Sequence, residues 1–246
     1  MNSIKENIVS YKNVFRRYEL KYLLTPEQKT AVLAAMSDHM RLDQYGRTTI
    51  RNIYFDDDSF RLIRRSIEKP SYKEKLRVRS YGRAEHDSPV FVELKKKYDG
   101  VVYKRRVSLP EHVAMDWLTG GGRPVDSQIC REIDYFLEFY KGLHPAVFLS
   151  YEREAYFHIQ GGEFRVTFDE NIFARRDDLS LISDAYGFAV LPEGRTLMEI
   201  KCHGAIPLWM ASVLSKNKIY KTSFSKYGRT YTDYLLPNVI NKKEQV

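Results

Sequence analysis

Cysteine is scarce: Cys130 and Cys202 are the only two, and neither sits in a Cys-x-x-Cys or metal-finger spacing. A disulfide scaffold is excluded as the organising principle, and two ordinary core thiols in a reducing compartment are expected. Long apolar runs are missing as well. No stretch approaches the roughly 20 apolar residues of a membrane span, and Met1 to Lys12 lacks the apolar centre of a secretory signal, so a soluble cytoplasmic chain is expected. There is no Gly-x-x-x-x-Gly-Lys-Ser/Thr loop, which removes the P-loop route to nucleotide binding. The histidines (His39, His86, His112, His144, His158 and His203) show no His-Glu-x-x-His or other paired spacing, so no zinc site is expected from them. Acidic charge is in deficit, with 32 Asp and Glu against 40 Lys and Arg and a net charge of +8. That balance directs attention to phosphate-rich ligands, nucleic acid or anionic membrane.

What is present suffices for a core: 43% of the 246 residues are hydrophobic and 13% aromatic. Strands are expected at Phe15–Leu24, Thr48–Phe55, Tyr72–Gly82, Pro89–Tyr98, Val101–Leu109, Ala146–His158, Phe164–Phe173 and Thr196–Cys202. Asp99-Gly100 is the strongest hairpin signal, and Gly161-Gly162 marks another. Thr25-Pro26-Glu27 opens a helix that continues to Met36, and Asp56-Asp57-Asp58-Ser59 caps a second over Phe60–Ile67. Pro110–Lys141 reads as helical, interrupted at Gly120-Gly121-Gly122 and Pro124, and Pro207 to Tyr234 reads as helical throughout. With no repeat or linker, a single α+β domain over residues 1–246 is expected, its core at about 15–235 and a polar tail at 237–246. Eight strands are enough to close an antiparallel β-barrel with helices packed outside.

Alternation sorts the charges. Lys73, Lys75, Arg77 and Arg79 share one face of their strand, with Leu76 and Val78 on the other. Glu93, Lys95 and Lys97 share a face, as do Lys104 and Arg106, Glu19 and Lys21, Arg153 and Tyr151, Arg165 and Asp169, and Glu199 and Lys201. One such strand most often has a solvated outer face. Many together place like charges opposite one another, which destabilises a sheet unless an anion lies between them. If the apolar faces turn outward under the helices, the cations converge inside and suit phosphate oxygens. The carboxylates Glu19, Glu93, Asp169 and Glu199 can pair with these cations or hold a hard divalent ion.

Arg-Tyr-Glu-Leu-Lys at 17–21, Leu-Arg-Val-Arg at 76–79, Val-Glu-Leu-Lys at 92–95, Lys-Arg-Arg at 104–106, Ser-Tyr-Glu-Arg at 150–153, Met-Glu-Ile-Lys at 198–201 and Phe-Ser-Lys-Tyr at 224–227 occur in an order that resembles the VTC domain. This is the polyphosphate polymerase branch of the triphosphate tunnel metalloenzymes, also called CYTH-like. The resemblance implies an eight-stranded tunnel that grips ATP and passes its γ-phosphoryl group to a growing polyphosphate chain. It implies that Lys21, Arg77, Arg79, Lys95, Arg153 and Lys201 act on the transferring group. It further implies that Lys104, Arg106, Ser225 and Lys226 bind substrate, and that Glu199 ligates Mn²⁺ or Mg²⁺. Alternation adds Lys75 and Arg165 to the binding set. The partners implied are ATP and polyphosphate, with no nucleic acid, and peripheral membrane association only through a membrane-protein partner.

One departure matters. The superfamily's Glu-x-Glu-x-Lys signature stands here as Arg17-Tyr18-Glu19-Leu20-Lys21, without its first glutamate. A carboxylate-rich two-metal hydrolysis is correspondingly disfavoured. Two rival readings use the same tunnel, a tripolyphosphatase or nucleoside triphosphatase with water as acceptor and a non-catalytic polyphosphate-binding module. A nucleic-acid binder would instead spread its cations over an outer surface.

Overall fold

The computed structural model describes residues 17–99 and 101–237. Gly100 of the hairpin signal, the segment Met1 to Lys12 and most of the polar tail lie outside the described residues. The strands are β1 (Arg17–Leu24), β2 (Met40–Leu42), β3 (Thr48–Asp56), β4 (Tyr72–Tyr81), β5 (Pro89–Tyr98), β6 (Val101–Pro110), β7 (His144–His158), β8 (Arg165–Arg175), β9 (Phe188–Ala189), β10 (Thr196–His203) and β11 (Lys221–Thr222). The helices are α1 (Pro26–Met36), α2 (Arg61–Ile67), α3 (Glu111–Leu118), α4 (Gln128–Phe139), α5 (Leu208–Lys216) and α6 (Lys226–Thr230), the last running into a π-helical turn over Tyr231–Leu235.

The architecture is α+β, with one large antiparallel sheet in the order β11-β1-β10-β8-β7-β3-β4-β5-β6, β2 and β9 joining at β7 and β8. All eight expected strands form. The closed barrel does not: the hydrogen-bonded path has two ends, at β11 and at β6, and no ladder among the described residues joins them. The sheet nevertheless curls. Lys95 of β5 acts electrostatically on Glu19 of β1 and Lys201 of β10, strands far from it in the sheet order. Lys75 of β4 reaches Ser225 Oγ, at the start of α6, at 3.3 Å.

The apolar faces turn outward as expected. Leu76, Val78, Val92 and Leu94 pack under α3 and α4 with Trp117, Ile133 and Phe136. Tyr22, Phe168, Met198 and Ile200 pack under α1 and α5 with Val32, Met36 and Met210. Each side chain of this size removed from water contributes about 1.5–3 kcal/mol, so the two outer layers hold the cation-bearing strands from behind. Cys130 and Cys202 are free and buried.

A third cluster corrects the idea that the inner face is charged throughout and that helices lie only outside. Tyr54, Val147, Leu149, Ala174 and Leu197 face inward and pack with Ile63 of α2 and with Tyr227, Tyr231 and Leu235. The last three recur every four residues, one apolar stripe of a helix that needs a buried partner. This stripe fills one end of the concavity. Asp56 fastens the arrangement, accepting from the backbone N–H of Leu62 at 2.9 Å and Ile63 at 3.0 Å and from the Tyr227 hydroxyl at 3.0 Å. The expected aspartate cap of α2 is therefore supplied by Asp56 and by Asp57, which accepts from Arg61 N at 3.0 Å. α1 opens at Thr25-Pro26 as expected, and a capping box closes its start, with Gln28 N donating to Thr25 Oγ1 at 3.2 Å and Thr25 N to Gln28 Oε1 at 3.0 Å.

The continuous helix expected from Pro207 to Tyr234 is broken. Lys218 takes φ +52° and ends the turn after α5, and β11 then pairs Lys221 with Tyr22 and Thr222 with Lys21. The detour brings Phe224, Ser225 and Lys226 to the concave side.

Candidate anion-binding site on the concave face

The half of the site built on β4, β5 and β6 has one carboxylate for four cations. Cross-strand register sets Glu93 opposite both Arg77 and Arg106. Glu93 accepts from Arg77 Nε at 2.8 Å and Nη2 at 2.6 Å, from Lys104 Nζ at 2.6 Å and from Arg106 Nε at 2.7 Å, with Arg79 Nε at 3.9 Å. Burial opposes ionisation of Glu93, but Arg77, Arg79 and Lys104 overcome it and hold the carboxyl far below the usual range. Arg79 is oriented by Asn52 Oδ1 at 2.9 Å and the Tyr151 hydroxyl at 3.2 Å.

The other half, on β1, β10, β8, β7 and α6, is nearly balanced. Asp169 accepts from Arg153 at 2.6 and 2.7 Å and pairs with Lys226 Nζ at 2.5 Å. Glu199 lies 3.2 Å from Lys226, 3.3 Å from Lys21 and 3.7 Å from Arg153. Lys21 also meets Glu19 at 3.2 Å and donates to the Phe224 carbonyl oxygen at 2.9 Å. Burial again opposes the charge on Glu199, and Lys226, Lys21 and Arg153 reverse the effect and hold its pKa well down. Lys226 moves the other way: burial disfavours its charge, but Asp169 and Glu199 raise its pKa above the ordinary value.

Both halves also carry lysines without an acidic contact. Lys75, Lys95 and Lys104 are directly opposite one another across β4, β5 and β6. Among the described residues Lys75, Lys95 and Lys201 have no carboxylate within ion-pair distance. Burial pulls Lys75 down to about 8, Lys95 and Lys73 adding to the effect against Tyr54. Lys201 is likewise brought by burial to about 8, in spite of Glu199 and Glu19. Tyr54 donates no net charge in its usual state, but Arg77, Lys75 and Arg79 outweigh its burial and bring it to about 8; its hydroxyl accepts from Arg77 Nη1 at 2.9 Å.

Twelve sequence-derived positions are thus gathered on one concave surface: Lys21, Lys75, Arg77, Arg79, Lys95, Lys104, Arg106, Arg153, Glu199, Lys201, Ser225 and Lys226. Arg165 shares the face, opposite Lys201, but stands at the strand's start with its guanidinium 4.7 Å over the Phe157 ring. Asn52, Tyr54 and Tyr151 were not singled out as contact residues. Their signal was the alternation of Thr48–Phe55 and the Tyr-x-Arg spacing at 151–153, which place them among the arginines.

A model of the VTC domain matches residues 16–234. The chain belongs to the VTC domain family. No curated protein matches it. Among solved structures it is similar to a Bacillus halodurans protein assigned as an adenylate cyclase, at 15% identity over 84% of this chain and 92% of that one, with a TM-score of 0.52. It is also similar to a Hippeastrum protein assigned as an adenylyl cyclase and described as having a dominant triphosphatase activity, at 17% identity over 85% and 92% of the two chains, TM-score 0.51. At such identities the likeness shows a shared fold. No helix among the described residues is long and apolar enough to cross a membrane.

A divalent metal is implied for this VTC domain, and its donors fit one of a particular kind. Glu19, Asp169 and Glu199 offer only oxygen, the choice of a hard ion. Their oxygens do not converge as a three-carboxylate cage among the described residues, and each is engaged by lysine or arginine. Such a site suits an ion held by one carboxylate and mostly by phosphate oxygens, as Mg²⁺ commonly is. Glu199, facing Lys21 and Lys226, is the residue that a phosphate would release by drawing those lysines away.

Proposed function

We propose that this VTC domain is an ATP:polyphosphate phosphotransferase, a polyphosphate polymerase whose concave face forms the tunnel. The observation that carries this reading is the set of lysines without acidic partners among the described residues, Lys75 and Lys95 beside Glu93's four cations and Lys201 beside the Glu199 pairs. An extended chain of phosphates is a ligand that meets many cations spread along one surface at once. Arg77, Arg79 and Arg106 present planar forks to non-bridging oxygens, while the lysines act as point charges. Phosphoryl transfer requires positioning and charge neutralisation, with no protein nucleophile. When bound, a divalent ion, Mg²⁺ or Mn²⁺ at Glu199, supplies further neutralisation of the phosphate oxygens. The side chains align the γ-phosphoryl group and the terminal phosphate of the acceptor, and Lys226, kept protonated by Asp169 and Glu199, holds positive charge where negative charge accumulates.

The test is incubation with γ-labelled ATP and Mn²⁺ or Mg²⁺, with products resolved by length. A ladder of long chains, absent with Arg77→Ala, is the expected result. Orthophosphate alone would establish water as acceptor and a triphosphatase. Tight triphosphate binding without turnover would leave a binding module.

A further inference from the structure

Away from the concave face, the β4–β5 loop and the first turn of α3 bring together residues that the sequence keeps far apart. His86 Nδ1 lies 3.2 Å and His112 Nδ1 3.3 Å from the same oxygen, Asp87 Oδ1. The two imidazoles are stacked, with centroids 4.0 Å apart and planes inclined by 7°. The β5–β6 hairpin carries the chain back so that residue 112 meets residue 86, which is why local spacing gave no sign of a pair. We propose that His86, Asp87 and His112 bind a divalent transition-metal ion, Zn²⁺, which staples the β4–β5 loop to α3.

The edge lengths suit an ion, which one imidazole meets by turning out of the stack, since parallel rings cannot both aim an in-plane lone pair at one metal. Tetrahedral zinc with bonds of about 2.0–2.1 Å separates its ligand atoms by about 3.3 Å, and both nitrogen–oxygen edges here already have that length. One donor atom from each of the three residues lies within 4.8 Å of the other two. Two imidazoles and a carboxylate suit zinc far better than Mg²⁺, so this site differs in chemistry from Glu199. Water would fill the fourth position.

The backbone around the cluster is preset. His112 N donates to the His86 carbonyl oxygen at 3.2 Å, Glu111 N to Ser88 O at 3.0 Å, and Glu85 N to Ser88 Oγ at 2.8 Å. Glu111 is buried beside the histidines. The competing state is proton-filled, with the same nitrogens donating to Asp87 and to the His86 carbonyl oxygen, 3.0 Å from His112 Nδ1. Because the loop joins the strands of Arg79 and Glu93, the staple would brace the cation-rich half from outside.

The test uses the tag-free full chain in excess Mg²⁺, which occupies hard oxygen sites, at pH 7.5 without phosphate. Titration with Zn²⁺ followed by calorimetry should show one equivalent. Zinc at about 100-fold its Kd should raise Tm by about 5–10 °C. His86→Ala and His112→Ala should each abolish both effects while keeping the zinc-free Tm, and Glu199→Gln should retain them. Co²⁺ should give the visible absorption of a tetrahedral ion. Absence of a saturable equivalent, its survival in the double histidine variant, or its loss in Glu199→Gln would overturn the proposal.

Discussion

The two halves of the concave face use the same kinds of side chain in opposite proportions. On β4, β5 and β6, Arg77, Arg79, Lys104 and Arg106 share the single buried carboxylate of Glu93. Across the concavity, Lys21, Arg153, Lys201 and Lys226 stand among Glu19, Asp169 and Glu199. The first half has an uncompensated excess that an anion relieves. The second is close to neutral, and its order depends on which partner each carboxylate holds. On the proposed function, charge excess serves grip and charge balance serves adjustment around a metal.

The largest test of that division is Arg77→Ala, which should lower phosphoryl-transfer kcat by about 10²–10³, measured by steady-state product formation. If the halves were equivalent, alanine at Arg165, on the rim, would cost as much. Glu93→Gln comes next. It leaves four clustered cations without their common anion and should destabilise the ligand-free protein by about 3 kcal/mol in denaturant unfolding. Tripolyphosphate should then restore stability to this variant more than to the wild type, since the ligand replaces the lost charge. Glu199→Gln should separate binding from metal response: triphosphate binds at least as tightly as before without metal, while added Mn²⁺ or Mg²⁺ no longer increases turnover.

The smallest expected effect is on pH dependence. Lys75, lowered by burial, and Tyr54, lowered by its cations in spite of burial, both titrate near 8 in the folded protein. Both bind their protons less tightly folded than unfolded, so between about pH 8 and 10 the unfolded chain holds more protons and their contribution to stability rises with pH. The ligand-free wild type should gain about 2–4 °C in Tm over Lys75→Met between pH 7.5 and 9.5. Triphosphate affinity should fall over the same window, because a neutral lysine no longer attracts phosphate. A flat difference between the two proteins would remove the special standing of the central lysines.

Much of this was legible in the residues. The long strands announce themselves because period-two alternation persists for eight or more positions, and it also assigns Arg77, Arg79, Lys104 and Arg106 to the inner face. The short strands β2, β9 and β11 have too few residues to show a period. Nothing local marks the break after α5, where the positive φ falls on Lys218 rather than on a glycine. Convergence of four cations on Glu93 depends on register between three strands, and Asn52 and Tyr54 gain their roles only from what lies opposite. The apolar end at Tyr54, Val147 and Leu197 escaped because charge was followed along strands, while that cluster is assembled across them with α2 and the turn after α6. The open edge was equally hidden, since strand count says how many strands there are, and not whether the last one bonds to the first.

That edge has its own consequence. Backbone hydrogen bonds fix the spacing of neighbouring strands almost rigidly, but β6, with Lys104 and Arg106, and β1, with Glu19 and Lys21, share no ladder. Their separation is held by the curl of the sheet and by packing and side-chain contacts such as Lys75 with Ser225, without a ladder between them. On the proposed function, a polyanion seated there would act as a mortar joint, joining through its charge two edges that the backbone leaves unjoined.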